Sequence, residues 1–136
     1  MIRPRINGRR GAFQLVFGLV YLIVGMGYFM TPGTTLRDRY FSWLGPVPLD
    51  AFAALWVAAG AIAIVSAFLP RPRDAAGFMA LVFAPGIWFG LFVIAAAVTG
   101  SAAAIVQAAL YAVFSVAPLI VSGMQGPEDR DHREVR

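Results

Sequence analysis

Three polar side chains could carry chemistry because they repeat at helical spacing within an apolar stretch. Gln107, Tyr111 and Ser115 follow one another every four residues, which places them on one face of a helix. Such a stripe would either line an aqueous path or hydrogen-bond to a neighbouring helix, where each contact contributes about 0.6–2 kcal/mol in a membrane. We favour the structural role, with the stripe bonded to Ser66 or Tyr21 of other helices.

The sequence lacks the residue patterns that catalysis requires. It has no cysteine, its single histidine (His132) lies in a charged tail, and its apolar segments contain no charged residue. Zinc sites need three or four convergent ligands, and ion-coupled transporters hold an ionisable residue inside the membrane. There is also no glycine-rich phosphate loop and no nucleophile–base pair. We therefore expect a protein that is not an enzyme and uses no cofactor or metal.

The elements that must position these residues are long apolar helices. Of the 136 residues, 60% are hydrophobic and 13% are charged, and the mean hydropathy is +0.74. Soluble domains carry about a quarter charged residues. A bilayer core roughly 30 Å thick is crossed by about 20 apolar helical residues, and the apolar segments lack the alternation of barrel strands. Four segments meet this test, at 12–30, 51–69, 75–98 and 102–121.

The sequence thus predicts an all-α fold, an integral membrane bundle of four transmembrane helices. The bundle occupies 12–122, between a basic N-terminal segment at 1–11 and a charged tail at 123–136. Pro85 lies in the third segment, where it removes a backbone hydrogen bond and bends the helix. A gating hinge is one interpretation of this proline, but membrane helices commonly tolerate such kinks.

The arginines predict the orientation, since basic residues collect in cytoplasmic loops. If the helices alternate in direction, nine arginines lie on one side, and Arg37 and Arg39 lie on the other. Both termini and the central connector are therefore expected in the cytoplasm. Because the arginines flank apolar segments, the net charge of +4 does not indicate a nucleic-acid partner. The nine are Arg3, Arg5, Arg9, Arg10, Arg71, Arg73, Arg130, Arg133 and Arg136.

Small residues recur every four positions, a spacing that lets helices approach closely in lipid. Gly86 and Gly90 form a GxxxG pattern in the third segment. Packing within one bundle and packing between chains both remain open. The corresponding alanines are Ala59, Ala63 and Ala67 in the second segment and Ala104, Ala108 and Ala112 in the fourth.

The external connection between the first two segments mixes aromatic and charged residues. Tyr40 and Trp43 are expected to anchor it in the aromatic belt at the membrane interface. A lid or a docking loop is the alternative.

Polar residues beside two later segments are expected to cap their helices, namely Asp50 for the second and Ser101 for the fourth.

The overall layout resembles that of phage holins. The features that carry the resemblance are the basic N-terminus (MIRPRINGRR), the uncharged spans and the highly charged C-terminal tail (GPEDRDHREVR). The resemblance implies self-assembly into membrane lesions that let an endolysin reach the cell wall. A fourth span departs from the usual holin pattern.

Two other functions remain open. One is a non-catalytic accessory or scaffold subunit of a membrane complex, or a phage exclusion protein. The other is a passive channel or carrier for apolar solutes, which would use the stripe at Gln107 and the kink at Pro85.

We expect the lipid bilayer as surroundings, and either a homo-oligomer or a membrane-protein partner. Arginine as the sole basic residue favours a high-GC source such as actinobacteria or their phages, and hence a bacterial cytoplasmic membrane or the host membrane of a phage.

Overall fold

A computed structural model describes residues 6, 8–30, 37–45, 49–70 and 72–124, and its long elements are all helices. A short segment between the first two helices forms a π-helical turn at Arg37–Phe41 and a 3-10 turn at Ser42–Leu44. The predicted all-helical class is confirmed for this part of the chain. The four long helices are α1 (Gly8–Met30), α2 (Leu49–Ser66), α3 (Ala75–Thr99) and α4 (Ala102–Gly123).

Three of these helices are long and apolar enough to cross a membrane. They are α1, α3 and α4, with 23, 25 and 22 residues, and a rise of 1.5 Å per residue makes each about 33–38 Å long. The shortest helix is α2, with 18 residues, and its apolar part, Asp50–Ser66, is shorter than the three candidate spans. Three helices of this kind fit a small membrane-embedded protein.

Two helix starts differ from the prediction. The first helix begins at Gly8 rather than at residue 12, so Arg10 lies inside α1. The charge is tolerated there because Arg10 finds a buried carboxylate partner in Asp74. The second helix begins at Leu49, so Asp50 lies in its first turn instead of capping it. Two helix ends also shift, with Ala67 in the turn that follows α2 and α4 continuing to Gly123.

The prediction that the Ser101 side chain caps the fourth helix is wrong. Ser101 occupies the N-cap position of α4, but its side chain makes no capping hydrogen bond. Before it, Gly100 ends α3 with a positive φ of 66°, and its amide donates to the carbonyl of Ala96 at 2.9 Å. Glycine adopts this left-handed conformation at little cost. The tight turn therefore folds α4 back along α3.

The bundle consists of two antiparallel hairpins, α1 with α2 and α3 with α4, which meet chiefly where α2 packs on α3. The first hairpin is closed by glycines. A Cβ built on Gly60 would lie 2.6 Å from the carbonyl oxygen of Gly18, and one on Gly25 would lie 2.7 Å from a methyl group of Val57. Only glycine lets the two backbones come this close in lipid.

Two described residues between α1 and α2, Tyr40 and Phe41, pack onto the bundle. Phe41 is fully buried and Tyr40 is 9% exposed, and the Phe41 ring lies 5.1 Å from that of Phe92 and 6.0 Å from that of Trp88. The indole N–H of Trp43 donates to the carbonyl of Tyr40 at 2.9 Å. The prediction that Tyr40 anchors this connection at the membrane interface is therefore wrong, because Tyr40 belongs to the aromatic core.

Candidate functional site

Polar side chains follow one edge of α1 at intervals of seven residues. Gln14 and Tyr21 are fully buried, and Tyr28 is half-buried one interval further on. A seven-residue repeat keeps one seam of a helix facing its neighbours. Three glycines share that spacing and are also buried, namely Gly11, Gly18 and Gly25.

This row of polar side chains meets α3 in a regular register. The Gln14 amide donates to the carbonyl of Asp74 at 2.7 Å, and the Tyr21 hydroxyl donates to the carbonyl of Leu81 at 2.8 Å. The Tyr28 ring stacks on Trp88, with 4.7 Å between centroids. Each partner lies sixty positions further along the chain. The two helices therefore run parallel in a common register.

An ion pair joins three segments at one end of the bundle. Arg10 Nε donates to Asp74 Oδ2 at 3.0 Å, and Arg10 Nη1 donates to the carbonyl of Ser122. The guanidinium also lies 4.6 Å from the ring centroid of Phe78. The start of α1, the α2–α3 connector and the end of α4 consequently lie together.

The carboxylate of this pair is deeply buried. Its side chain is 2% exposed, against 15% for Arg10. Taking one partner from a buried pair costs about 3–5 kcal/mol because the other charge is left uncompensated. Asp74 precedes α3 but makes no side-chain cap there. The close approach of Gly77, whose Cβ would lie 2.6 Å from that of Ser66, brings α2 and α3 together beside the pair.

Aromatic side chains join α1, α3 and α4 towards the other end of the bundle. The hydroxyls of Tyr28 and Tyr111 lie 2.5 Å apart, and either can donate the hydrogen bond. The Tyr111 ring stacks on Phe92 at 5.4 Å and on Trp88 at 6.0 Å. Offset or stacked aromatic pairs contribute about 0.5–1.5 kcal/mol beyond burial. These rings connect α1 to α4, whose backbones make few direct contacts.

A cleft of about 150 Å³ is bounded by α1, α2 and α4. It lies between the Arg10–Asp74 pair and the Tyr28–Tyr111 contact. Its lining combines aliphatic side chains with aromatic and polar ones, the latter being Tyr21, Trp56, Gln107, Tyr111 and Phe114. Trp56 is 2% exposed, and its indole nitrogen has no hydrogen-bond partner within the described part of the chain. An unsatisfied buried donor costs about 1–3 kcal/mol. Trp56 therefore borders the cleft with a side chain whose indole nitrogen is itself buried.

The predicted stripe on the fourth helix is divided between two surroundings. Gln107 and Tyr111 line the cleft, whereas the Ser115 hydroxyl donates to the carbonyl of Val82 on α3 at 3.4 Å. The hydrogen bond of Tyr111 goes to Tyr28 rather than to Ser66 or Tyr21. The sequence did not indicate Trp56 as a lining residue, because its role depends on which helices surround it.

The small residues that were predicted to pack helices together differ in how close they lie to a neighbouring helix. A Cβ on Gly86 would make an ordinary contact of 3.7 Å with Ser115 Oγ, and one on Gly90 would meet nothing within 4 Å. The closest approaches occur instead at Gly18, Gly25, Gly60 and Gly77. The seven-residue repeat of glycines on α1 was the available signal for Gly18 and Gly25. Of the alanines, Ala112 is half-buried and five are buried, namely Ala59, Ala63, Ala67, Ala104 and Ala108.

The remaining predicted residues are placed as follows. Pro85 is buried within α3, which continues through it. Arg9 and Arg73 are exposed. Six of the nine arginines predicted for the cytoplasmic side and the histidine lie outside the described residues, and these are Arg3, Arg5, Arg71, Arg130, Arg133, Arg136 and His132.

Comparisons with protein-family models, curated proteins and solved structures found no match to this chain. The functional argument therefore depends on the geometry of the bundle. Within the described ranges, no group of three or more His, Cys, Asp or Glu side chains could hold a metal ion. What the arrangement does offer is two part-buried polar contacts between helices, Arg10 with Asp74 and Tyr28 with Tyr111, and a cleft between them.

Proposed function

We propose that this chain is a non-catalytic accessory or scaffold protein that works as a preassembled four-helix bundle in a membrane. The observation that supports this most is the buried pair of Arg10 and Asp74, which links α1 to the α2–α3 connector. A scaffold needs helices that stay together before any partner arrives. The proposal includes no catalysis, cofactor or nucleic-acid partner.

The pair favours a lasting bundle because its separation is costly. A lesion-forming protein must exchange contacts within a chain for contacts between chains. Such an exchange would break the contact of Arg10 with the Asp74 carboxylate, which is 2% exposed, and breaking a buried ion pair is destabilising. It would also separate Gly60 from Gly18, which are in backbone contact. These costs favour a scaffold over the holin-like lesion.

The proposal includes four spans, with α2 as the fourth and both termini in the cytoplasm. Arg10, Asp74 and Ser122 lie together at one end of the bundle. This supports the proposal, because helices that alternate in direction bring these three positions to the same side of the membrane. The excess of arginine at that end assigns it to the cytoplasm. The bacterial cytoplasmic membrane, or the host membrane for a phage protein, is the proposed location.

Single cysteines test this topology cleanly, since the native chain contains none. Three exposed positions are suitable: Arg9 in the first turn of α1, Ser42 between α1 and α2, and Arg73 between α2 and α3. We expect a membrane-impermeant maleimide to label Ser42→Cys in intact cells, and Arg9→Cys and Arg73→Cys only after permeabilisation. Labelling of Arg73→Cys in intact cells would contradict α2 as a span.

A holin-like function is the second candidate, and one observation favours it. The GxxxG position Gly90 has open space where a Cβ would point, so a second chain has room to pack closely there. A homo-oligomer through this face would then build the lesion. Under this candidate, Gly90→Leu would abolish or delay lysis.

Induced expression in a bacterial host separates the two candidates, with membrane insertion confirmed by fractionation. For a scaffold we expect continued growth, a steady membrane potential and no dye entry. We also expect the chain to migrate with a membrane-protein partner after gentle detergent extraction. Abrupt depolarisation at a reproducible delay, lost in Gly90→Leu, would overturn the scaffold proposal in favour of the holin-like one.

A further inference from the structure

We propose that an anionic phospholipid binds along the seam between α1 and α4. The guanidinium of Arg9 binds its phosphate at the end of the bundle, and one acyl chain follows the lipid-facing side of α1 as far as the cleft. This inference rests on the proposed placement of the bundle in a membrane, which the cysteine labelling tests separately, and it does not depend on the scaffold role.

The charge at this end of the bundle is the starting observation. Arg9 is exposed in the first turn of α1, and it makes no ion pair or hydrogen bond within the described ranges. The described carboxylate at this end, that of Asp74, is 2% exposed and already paired with Arg10 at 3.0 Å. An exposed guanidinium matches a phosphate in charge and in hydrogen-bond geometry. The proposed orientation places Arg9 in the cytoplasmic leaflet, where anionic lipids collect.

Arg9 shares one face of α1 with apolar side chains that are open to lipid. Val16 and Val20 follow it after about two and three helical turns, and they are 57% and 36% exposed. Residues at this spacing lie on the same side of a helix. The face therefore offers a charge for a headgroup and, beside it, an apolar strip for an acyl chain.

The distance from Arg9 to the cleft matches the thickness of one leaflet. Val20 lines the cleft, and eleven steps along α1 separate it from Arg9, which corresponds to about 16 Å. Half of a bilayer's hydrocarbon core is about 15 Å thick. With Arg9 at the level of the headgroups, an acyl chain of the same leaflet reaches the cleft.

The cleft can admit this chain from the side of the bundle. Two of its lining residues are partly open, Val20 on α1 and Leu110 on α4, the latter at 51% exposure. The backbones of α1 and α4 make few direct contacts. None of the described side chains that line the cleft is charged, so an aliphatic chain meets no charge to desolvate there.

Quenching of tryptophan fluorescence by brominated lipids tests the site, since Trp56 borders the cleft. The full chain is reconstituted in vesicles of dioleoyl phosphatidylcholine. Increasing fractions of phosphatidylglycerol or phosphatidylcholine are then added, each brominated at the middle of its acyl chains. We expect a binding constant for phosphatidylglycerol about fivefold that for phosphatidylcholine, the ratio that one arginine near a membrane surface supplies. Equal binding constants for the two lipids would overturn the proposal.

Two exposed arginines at this end provide a matched pair of variants. Arg73 lies on the α2–α3 connector and makes no ion pair within the described part of the chain. Arg9→Gln should abolish the preference for phosphatidylglycerol, while Arg73→Gln should keep it. Both side chains are exposed, so the core is left intact. Equal losses in the two variants would show a general attraction of anionic lipid to this end and would refute the site at Arg9.

A change at the cleft tests the path of the acyl chain. Val20→Phe enlarges a side chain that lines the cleft, and it should reduce the quenching by phosphatidylglycerol at saturation. Ile23→Phe is the control, because Ile23 is 72% exposed on α1 and does not line the cleft. Undiminished quenching in Val20→Phe would place the chain elsewhere and overturn the proposed path.

Discussion

Replacement of Gly60 with alanine tests whether backbone contact between α1 and α2 holds the first hairpin together. The added Cβ would lie 2.6 Å from the carbonyl oxygen of Gly18 and 3.0 Å from the amide nitrogen of Leu22. Ordinary contact begins at 3.4 Å, so the helices must separate by about 0.8 Å at the carbonyl. Both neighbours are backbone atoms, and a change of rotamer cannot relieve the overlap.

The size of the effect follows from two opposing contributions. Overpacking a close contact costs about 1–3 kcal/mol, whereas alanine is favoured over glycine in a helix by about 1 kcal/mol. We expect Gly60→Ala to lower the free energy of unfolding by about 1–2 kcal/mol. Gly27→Ala on α1 is the matched control, because no atom lies within 4 Å of its Cβ. The control should be neutral or more stable by up to about 1 kcal/mol.

The assay is reversible unfolding in mixed micelles with increasing denaturing detergent. Far-UV circular dichroism follows the loss of helix, and tryptophan fluorescence follows tertiary packing around Trp56, which lies one turn from Gly60. Equal unfolding free energies for Gly60→Ala and Gly27→Ala would refute the reasoning, since the hairpin would then not depend on the close approach.

Two further predictions use the same unfolding assay. Asp74→Asn leaves Arg10 without its carboxylate partner and should lower the unfolding free energy by about 3–5 kcal/mol; an effect no larger than that of the exposed control Arg73→Gln would contradict the importance of the pair. Tyr28→Phe and Tyr111→Phe each break the same hydroxyl pair and should each cost about 0.5–1.5 kcal/mol. The double variant should cost less than the two together, and strict additivity would show that the hydroxyls do not interact.

Hydropathy was enough to predict the helices because each apolar run is long and nearly uncharged. The third segment was predicted at 75–98, and α3 extends over Ala75–Thr99. The start of α1 could not be predicted in this way. Arg10 was treated as a residue outside the membrane because its charge opposes insertion. Its partner Asp74 lies 64 positions away, and no local pattern connects the two.

The close contacts were harder to predict than the helices. Small residues at intervals of four are frequent in an alanine-rich chain, so that spacing selects few of the true contacts. Gly90 satisfies the pattern but has open space beside it, whereas Gly60 contacts the backbone of Gly18. Which glycine faces another helix depends on how the hairpins pair. The unpartnered nitrogen of Trp56 depends on the same pairing, which is why the cleft could not be predicted.

The two polar contacts that join the helices, and the cleft between them, follow one another along α1. Arg10 is joined to Asp74 and Ser122 at one end, and Tyr28 is joined to Tyr111 towards the other. The lining residue Tyr21 lies between them, and its hydroxyl also donates to the carbonyl of Phe114 on α4 at 3.5 Å. Separating α1 from α3 and α4 would break all of these contacts. The same arrangement thus favours a preassembled bundle.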